Sequence, residues 1–212
     1  MISSARAQKC GGVHRKTIAN SHSESSARPP VAAALSLAGL LGYVLVYTAW
    51  LKPLTPQNIV IGGAAGAVPP LVGYAGAAGH LGWAALAMFA VVFVWTPPHF
   101  WALALMIKEQ YARAGVPMLP VTRGDKETAR QIVLYTIALV AVSLLLFPAA
   151  GMGMIYLVAA VVLGILFLWR ALRLRADASN GRAAIVLFRY SISYLTLLFL
   201  AVAIDALVYL PV

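Results

Sequence analysis

An imidazole lies inside an apolar stretch that is long enough to cross a membrane. Segment 95–101 reads WTPPHFW and places His99 between Trp95 and Trp101. At about 1.5 Å per residue, His99 lies about 13 Å of helix before Lys108, the next charged residue. An ionisable side chain at this depth predicts a functional site, and the alternative is a neutral histidine bonded to a neighbouring helix. The flanking aromatic rings would suit a flat, aromatic substrate.

Proline pairs interrupt two of the apolar segments. Pro97 and Pro98 each remove a backbone hydrogen bond from the predicted helix. Such breaks are tolerated in a membrane where they line a cavity or pack inside the protein. Pro69 and Pro70 predict a kink in the helix at 58–78 in the same way.

The connection that follows the WTPPHFW segment mixes cations and carboxylates with a stiff apolar element. Residues 115–120 read GVPMLP, which predicts a cap folded over the mouth of a cavity. Lysine, arginine and carboxylate side chains together could bind a diphosphate, directly and through Mg²⁺. A solvated loop is the alternative. The candidate residues here are Glu109, Tyr111, Arg113 and Lys126.

A third cluster, FRYSISY at 188–194, is predicted to open the last helix. Arg189 would then lie at a helix N-terminus, where the helix dipole also favours anions. Tyr190 and Tyr194 are four residues apart and therefore share one face. The alternative is an interfacial aromatic belt with an arginine that reaches to the headgroups.

Other polar or small residues have a structural interpretation. Asn58 opens an apolar segment as an N-cap or a binding residue. Gly62, Gly63 and Gly66 predict close packing of this helix against a neighbour. Asp205, near the end of the last segment, is interpreted as structural.

These residues need a membrane-spanning helical scaffold. The chain has 212 residues, of which 62% are hydrophobic and 10% charged, with a mean hydropathy of +0.86. A soluble domain carries about 25% charged residues, so most of this surface must face lipid. Because backbone groups in lipid need internal partners, helices are expected. Six segments are long enough to span a bilayer: 31–51, 58–78, 81–107, 131–151, 152–169 and 190–211.

The cations are distributed by topology. The net charge of the chain, +10, could suggest nucleic acid, but the cations cluster in the first thirty residues, at Lys52, and in loops 108–130 and 170–189. The connections near residues 80 and 151 carry none. This alternation is the positive-inside pattern, which predicts cytoplasmic basic loops and no nucleic-acid partner. The single cysteine, Cys10, excludes a disulfide framework and a multi-cysteine metal site.

The basic segment 1–30 has no apolar core and is predicted to be a disordered leader before a membrane domain at 31–212. If Lys52 and the two basic loops face the cytoplasm, this leader would lie on the opposite side, against the charge rule. An odd number of helices before Val31 removes the conflict. The expectation is therefore a C-terminal portion of a longer membrane protein.

Five segments together resemble the protoheme IX farnesyltransferases, a family of UbiA-type membrane prenyltransferases. The resemblance covers about residues 31–210. Its segments are YTAWLK at 47–52, TPQNIVIGG at 55–63, WTPPHFWALAL from Trp95, YARAGVPMLPV from Tyr111 and FRYSISYL from Phe188.

The resemblance implies a nine-helix bundle around a central cavity, with the six helices of this chain as the last six. It implies transfer of a farnesyl group from farnesyl diphosphate to the 2-vinyl group of heme B. The product would be heme O, used in heme-copper oxidase biogenesis. Mg²⁺ would be the cofactor, the cell inner membrane the location, and heme A synthase or oxidase assembly proteins the candidate protein partners.

The resemblance also implies roles for the residues at the diphosphate end. Glu109 would be the catalytic carboxylate that holds Mg²⁺, and Tyr111 would stabilise the allylic cation or orient the leaving group. The cations expected near the diphosphate are Arg113, Lys126 and Arg189.

At the heme end, His99 would ligate the iron or place a water, with Trp95 and Trp101 as walls of the porphyrin site. The remaining substrate-binding candidates are Lys52, Asn58, Tyr190 and Tyr194.

One departure from the superfamily pattern leaves alternatives open. The first aspartate-rich motif, D-x-x-x-D, has no counterpart, because no Asp or Glu occurs between Glu24 and Glu109. An inactive remnant is therefore one alternative function. A transporter or channel subunit built on broken helices is another.

Overall fold

The computed structural model describes residues 29–45 and 58–208, with side chains from residue 32 onward. The predicted leader and Lys52 lie outside these residues. The described part forms helices joined by short turns. We number the helices α1 (Pro29–Leu41), α2 (Asn58–Gly66), α3 (Val68–Ala78), α4 (Trp83–Met106), α5 (Lys108–Arg113), α6 (Leu119–Thr122), α7 (Gly124–Ala150), α8 (Met154–Ala176) and α9 (Gly181–Val208).

Five helical segments in the described part are long and apolar enough to cross a membrane. They are α2 together with α3, then α4, α7, α8 and α9. The protein is thus an all-α, multi-pass membrane protein, as the sequence predicts. The sixth predicted span, 31–51, continues into residues beyond the described part. Of this span the structure describes the N-terminal part, the shorter apolar helix Ala32–Leu45.

Four long helices close into a ring that forms the core. Helix α7 packs between α4 and α8, and α9 packs between α8 and α4. Helices α2 and α3 lie against the outside of α4, and α1 lies against α3. The contact of α9 with α4 brings the two aromatic clusters at 95–101 and 188–194 together, although about ninety residues separate them.

Three helices extend past the apolar segments from which they were predicted. Helix α7 begins at Gly124 rather than at residue 131, and α8 continues to Ala176 rather than 169. Helix α9 begins at Gly181 because the Asn180 side chain caps it, accepting the Ala183 N–H at 3.1 Å. Polar residues do not end a helix once it has left the hydrocarbon. The prediction that Arg189 lies at a helix N-terminus is therefore wrong, since it sits more than two turns inside α9.

The proline pairs have different consequences. The kink predicted at Pro69 and Pro70 appears as a break two residues before Pro69, at Ala67, so that both prolines fall in the first turn of α3. There a missing N–H costs no helical hydrogen bond. Helix α4 instead runs unbroken through Pro97 and Pro98, which are both buried. The loss of their two backbone hydrogen bonds is thus accommodated inside the protein, one of the two settings that the sequence predicts.

Small residues allow helices to approach closely. A Cβ added to Gly63 would lie 3.1 Å from the Thr96 Cβ, and one added to Gly164 would lie 3.0 Å from a Val140 methyl. These positions join α2 to α4 and α8 to α7. Close packing is confirmed at Gly63, whereas Gly66 meets nothing within 4 Å.

The described cations all lie toward one end of the bundle, where α4 connects to α7 and α8 to α9. We call this the basic end. The opposite turn, at 151–153, carries no charge. Near that turn Asp205 is buried and accepts hydrogen bonds from the backbone N–H groups of Gly153 and Tyr156. It caps the N-terminus of α8, which confirms its structural interpretation.

Candidate functional site

The imidazole of His99 is held between two parallel aromatic rings. The Trp95 ring lies 4.4 Å away at an interplanar angle of 17°, and the Phe188 ring lies 4.7 Å away at 23°. The Phe100 ring meets the imidazole edge-on at 5.1 Å. These contacts, from α4 on one side and α9 on the other, fix the plane of the ring.

The hydrogen bonds of Ser191 determine which nitrogen of His99 carries the proton. The Ser191 hydroxyl donates to the Phe188 carbonyl at 2.6 Å, and its oxygen lies 2.7 Å from His99 Nδ1. A hydroxyl has one proton, and a carbonyl can only accept. Nδ1 must therefore be the donor to Ser191. In the uncharged imidazole, Nε2 then keeps its lone pair free to bind a metal or to accept a proton.

The same serine residue also fixes Trp95. The indole Nε1 of Trp95 donates to the Ser191 backbone carbonyl at 2.8 Å. Ser191 thus joins the two helices at both aromatic side chains, and its own side chain is fully buried. We call Trp95, His99, Phe188 and Ser191 the histidine clamp.

Trp101 lies on a different face of α4. Its side chain is 1% exposed and meets the Tyr135 ring of α7 edge-on at 5.3 Å. Its indole nitrogen has no hydrogen-bond partner among the described residues. The structure therefore does not bring Trp101 to the histidine clamp, and burial leaves it no surface for a porphyrin.

The two predicted tyrosines of α9 share one face, as their spacing predicts, and both contact the Phe167 ring of α8. Tyr194 is fully buried, and its hydroxyl pairs with Ser143 at 2.8 Å. The Tyr190 hydroxyl donates to the Leu163 carbonyl at 2.8 Å. Both tyrosines join α9 to its neighbours and lie in the packing rather than on an open surface.

The residues predicted at the diphosphate end lie apart from the clamp, on the surface of the basic end. Glu109 and Arg113 form an exposed pair at 3.6 Å within α5, with side chains 88% and 82% exposed. Arg189 is exposed on α9. Lys126 lines a cleft of about 810 Å³ between the start of α7 and the turn after α8.

The GVPMLP element packs into the basic end. Met118, Leu119 and Pro120 are buried, and α6 contacts both α4 and α7. Tyr111 is partly buried against the same core. Burial of these apolar residues favours the predicted cap over the solvated loop, and an ion pair of 2.7 Å between Lys108 and Asp125 ties the start of α5 to α7.

Comparison with known proteins identifies the family of this architecture. The sequence model of the UbiA prenyltransferase family matches residues 25–204, most of the chain. The chain belongs to the UbiA prenyltransferase family.

Individual UbiA relatives are close in sequence. The chain is 55% identical over 176 residues to a protoheme IX farnesyltransferase of Gloeobacter violaceus, covering 83% of the chain and 58% of that protein. It is 54% identical over 178 residues to one of Trichodesmium erythraeum, covering 84% and 54%. The chain thus spans a little over half the length of these relatives.

A solved structure has the same fold. It comes from work on digeranylgeranylglyceryl phosphate synthase in membranes and superposes with a TM-score of 0.72 at 18% identity. The match covers 84% of this chain and 62% of that chain. At this identity the match shows a shared helical fold.

The carboxylates of the described residues do not form a Mg²⁺ site, although UbiA prenyltransferases generally depend on Mg²⁺. The described part contains no group of three or more His, Cys, Asp or Glu side chains placed to hold a metal. Glu109, the predicted ligand, faces solvent beside Arg113. A Mg²⁺ ion needs several oxygen ligands in octahedral geometry, and these residues do not fit it.

Of two further predicted positions, the described residues include only Asn58. Asn58 begins α2 and is 1% exposed, so that its side chain lies within the packing. Lys52 stands outside the described residues. The glycine-rich face of α2 borders a cavity of about 320 Å³ that Trp95 also lines.

Sequence reasoning missed three contributors. Phe188 and Ser191 complete the histidine clamp from α9, and Arg170 places its guanidinium 3.9 Å above the Tyr190 ring. The quoted FRYSISY segment contains the first two. No local spacing could have paired them with a histidine about ninety residues away.

Proposed function

We propose that this chain acts in the transfer of a farnesyl group from farnesyl diphosphate to the 2-vinyl group of heme B, giving heme O for heme-copper oxidases. The observation that carries the proposal is the histidine clamp, an imidazole in an apolar helix with a free Nε2 lone pair between flat aromatic rings. Identities above 50% to proteins named protoheme IX farnesyltransferase support it.

The reaction joins the farnesyl group and a water molecule to the vinyl group, and it needs an acceptor for the proton that the water loses. The C1–O bond of farnesyl diphosphate breaks, and the electron pair leaves with the diphosphate. The vinyl π electrons of heme B form a bond to the allylic C1, which leaves a cation beside the porphyrin. Water adds to that carbon and loses a proton, so the products are heme O, diphosphate and one proton.

The free Nε2 of His99 gives it two possible tasks in this scheme. It can accept the proton of the attacking water, or it can ligate the heme iron and hold the porphyrin in position. Both need the proton to stay on Nδ1, which donates it in a hydrogen bond to the Ser191 oxygen. The Trp95 ring beside it offers a flat surface for stacking.

The leaving diphosphate is assigned to the basic end. Exposed Arg113, Lys126 and Arg189 supply positive charge there, and charge-assisted hydrogen bonds to phosphate are strong. Tyr111 is assigned to the leaving group or the allylic cation. Glu109 alone does not make a Mg²⁺ site, so a Mg²⁺ ion beside it would have to take its other oxygen ligands from the diphosphate and water.

The setting proposed for this reaction is the cell inner membrane, with the basic end in the cytoplasm. Heme A synthase or oxidase assembly proteins are the proposed protein partners. The positive-inside distribution supports the orientation.

The test is a product assay. Membranes that contain the chain are supplied with heme B, farnesyl diphosphate and Mg²⁺, and heme O is separated by chromatography. We expect heme O above the level of membranes that lack the chain. His99→Phe keeps the ring stack but removes both nitrogens, so we expect product formation to fall about 10²-fold, within the usual contribution of a general acid–base group.

Two results would count against the proposal. Absence of heme O from a chain shown to be membrane-inserted would favour the inactive remnant. Undiminished product with His99→Phe would remove His99 from the site and leave the activity standing.

A further inference from the structure

A second, smaller cavity lies at the basic end, between the last turns of α8 and the first turns of α9. It measures about 390 Å³. Three arginines from the two helices line it, and no carboxylate among the described residues does so. The lining side chains that matter here are Arg170, Arg173, Arg182, Trp169, Asn180 and Val186.

Aromatic rings hold two of these guanidinium groups. Arg173 lies 4.0 Å above the centre of the Trp169 ring, and Arg170 lies 3.9 Å above that of Tyr190. Cation–π contacts of this kind orient an arginine without neutralising it. None of the three arginines forms an ion pair within the described part of the chain. Their charge is therefore left for a ligand.

Arg170 also has an unsatisfied donor. Its Nε is buried without a hydrogen-bond partner among the described residues, while an Nη reaches only the Leu166 carbonyl at 3.3 Å. A buried unpaired donor on a charged group costs free energy, which an anionic oxygen in the cavity would recover. The Asn180 amide can donate from the same wall, because its oxygen is used to cap α9.

The neighbouring 810 Å³ cleft shows that charge density alone does not distinguish this site. That cleft contains four cations, but Asp125, Glu127 and Asp177 line it as well. Carboxylates compete with an anionic ligand for the same donors. Of these two cavities of the described residues, only the smaller combines concentrated positive charge with a lining that holds no carboxylate.

The flank of the small cavity is apolar and exposed. Trp169 and Leu172 are each 47% exposed, and Val186 is 52% exposed. A tryptophan at the end of a spanning helix is typical of the headgroup region. The cavity thus offers arginines to a phosphate and an apolar surface to attached chains.

We propose that this cavity binds the phosphate of an anionic phospholipid, with the acyl chains against the apolar flank. Basic pockets between spanning helices bind anionic headgroups because they combine positive charge with a position at the headgroup level of the membrane. The proposal does not depend on the histidine clamp or on the proposed reaction. A prenyl diphosphate carries the same chemistry, and the experiment separates the two sources.

The experiment measures lipid binding to the whole chain in detergent. Phosphatidylglycerol or phosphatidylcholine is added, and the thermal unfolding midpoint and the bound lipid, by native mass spectrometry, are recorded. We expect phosphatidylglycerol, but not phosphatidylcholine, to bind and to raise the thermal unfolding midpoint. The variant R173Q/R182Q should lose at least half of that rise, whereas R123Q/R130Q, which removes equal charge from the larger cleft, should keep it.

Several results would overturn the proposal. Equal losses in the two double variants would mean general charge attraction. Displacement of phosphatidylglycerol by an equal concentration of farnesyl diphosphate, with inorganic phosphate as the control anion, would assign the cavity to the prenyl substrate. Should R173Q/R182Q not fold, Arg182→Gln alone, at an exposed position in the first turn of α9, must show the reduced lipid count.

Discussion

At the residue scale, Ser191 fixes the chemistry open to His99. Its single proton goes to the Phe188 carbonyl, so its oxygen accepts from Nδ1 and leaves Nε2 unprotonated. Its backbone carbonyl holds the indole of Trp95. Ser191, which is itself fully buried, thus positions His99 and Trp95.

Replacing Ser191 with alanine should weaken the site through the tautomer of His99. Without an acceptor at Nδ1, the two tautomers become closer in energy, and Nε2 is protonated in part of the population. We expect heme O formation to fall about tenfold and stability by about 1–3 kcal/mol, because the variant loses both hydrogen bonds of the Ser191 hydroxyl. Product assays and thermal unfolding measure the two effects.

Ser193 provides the matched control for Ser191. It lies on the same helix but is exposed, and its hydroxyl reaches only the Arg189 carbonyl at 3.4 Å. Ser193→Ala should keep full product formation. A loss equal to that of Ser191→Ala would show that the tautomer is not what matters.

At the element scale, α8 is positioned by a residue from another helix. Asp205 of α9 receives the N–H groups of Gly153 and Tyr156 at the start of α8. The Tyr156 hydroxyl donates to the Ser143 carbonyl at 2.7 Å and so joins α8 to α7. A carboxylate suits this place because the first N–H groups of a helix have no intrahelical partners.

Asp205→Asn should destabilise the bundle by about 1–3 kcal/mol, because it places an amide NH₂ near unpaired N–H donors and removes the charge. Thermal unfolding in detergent measures the change. Asp177→Asn, in the exposed turn before α9, should leave the midpoint almost unchanged. Equal midpoints for Asp205→Asn and the unaltered chain would contradict the capping role.

At the scale of the whole molecule, the positive charge of the described residues lies at one end of the bundle. Every described lysine and arginine lies toward the basic end, and the turn at 151–153 is neutral. Both clefts with cationic linings occur at that end. If the positive-inside rule holds, anionic ligands reach this protein from the cytoplasm.

Cysteine labelling tests this orientation. In a Cys10→Ser background, Ser179→Cys places a thiol at the basic end and Met154→Cys places one at the opposite end, both at exposed positions. An impermeant maleimide should label residue 154 from the periplasmic side and residue 179 only after the membrane is opened. The reverse pattern would contradict a cytoplasmic basic end.

The sequence by itself determined the class of molecule and the identity of its key polar residues. Apolar segments long enough to span a bilayer and the one-sided cations are local properties of the chain, so they can be read without a fold. His99 stood out because an ionisable residue inside the membrane is costly whichever way its helix face points. The family-specific segments are also contiguous stretches of sequence, so they can be recognised without a fold.

Only the tertiary structure decided which of those residues meet. The rotation of α4 sends Trp95 toward α9 and buries Trp101 against α7, although both lie in one short segment. The extension of α9 back to Gly181 moves Arg189 away from a helix end. The three arginines of the 390 Å³ cavity come from two helices, and the packing of those helices leaves no carboxylate in its lining. Distances across a bundle are set by helix rotation and contact, which spacing along the chain does not encode.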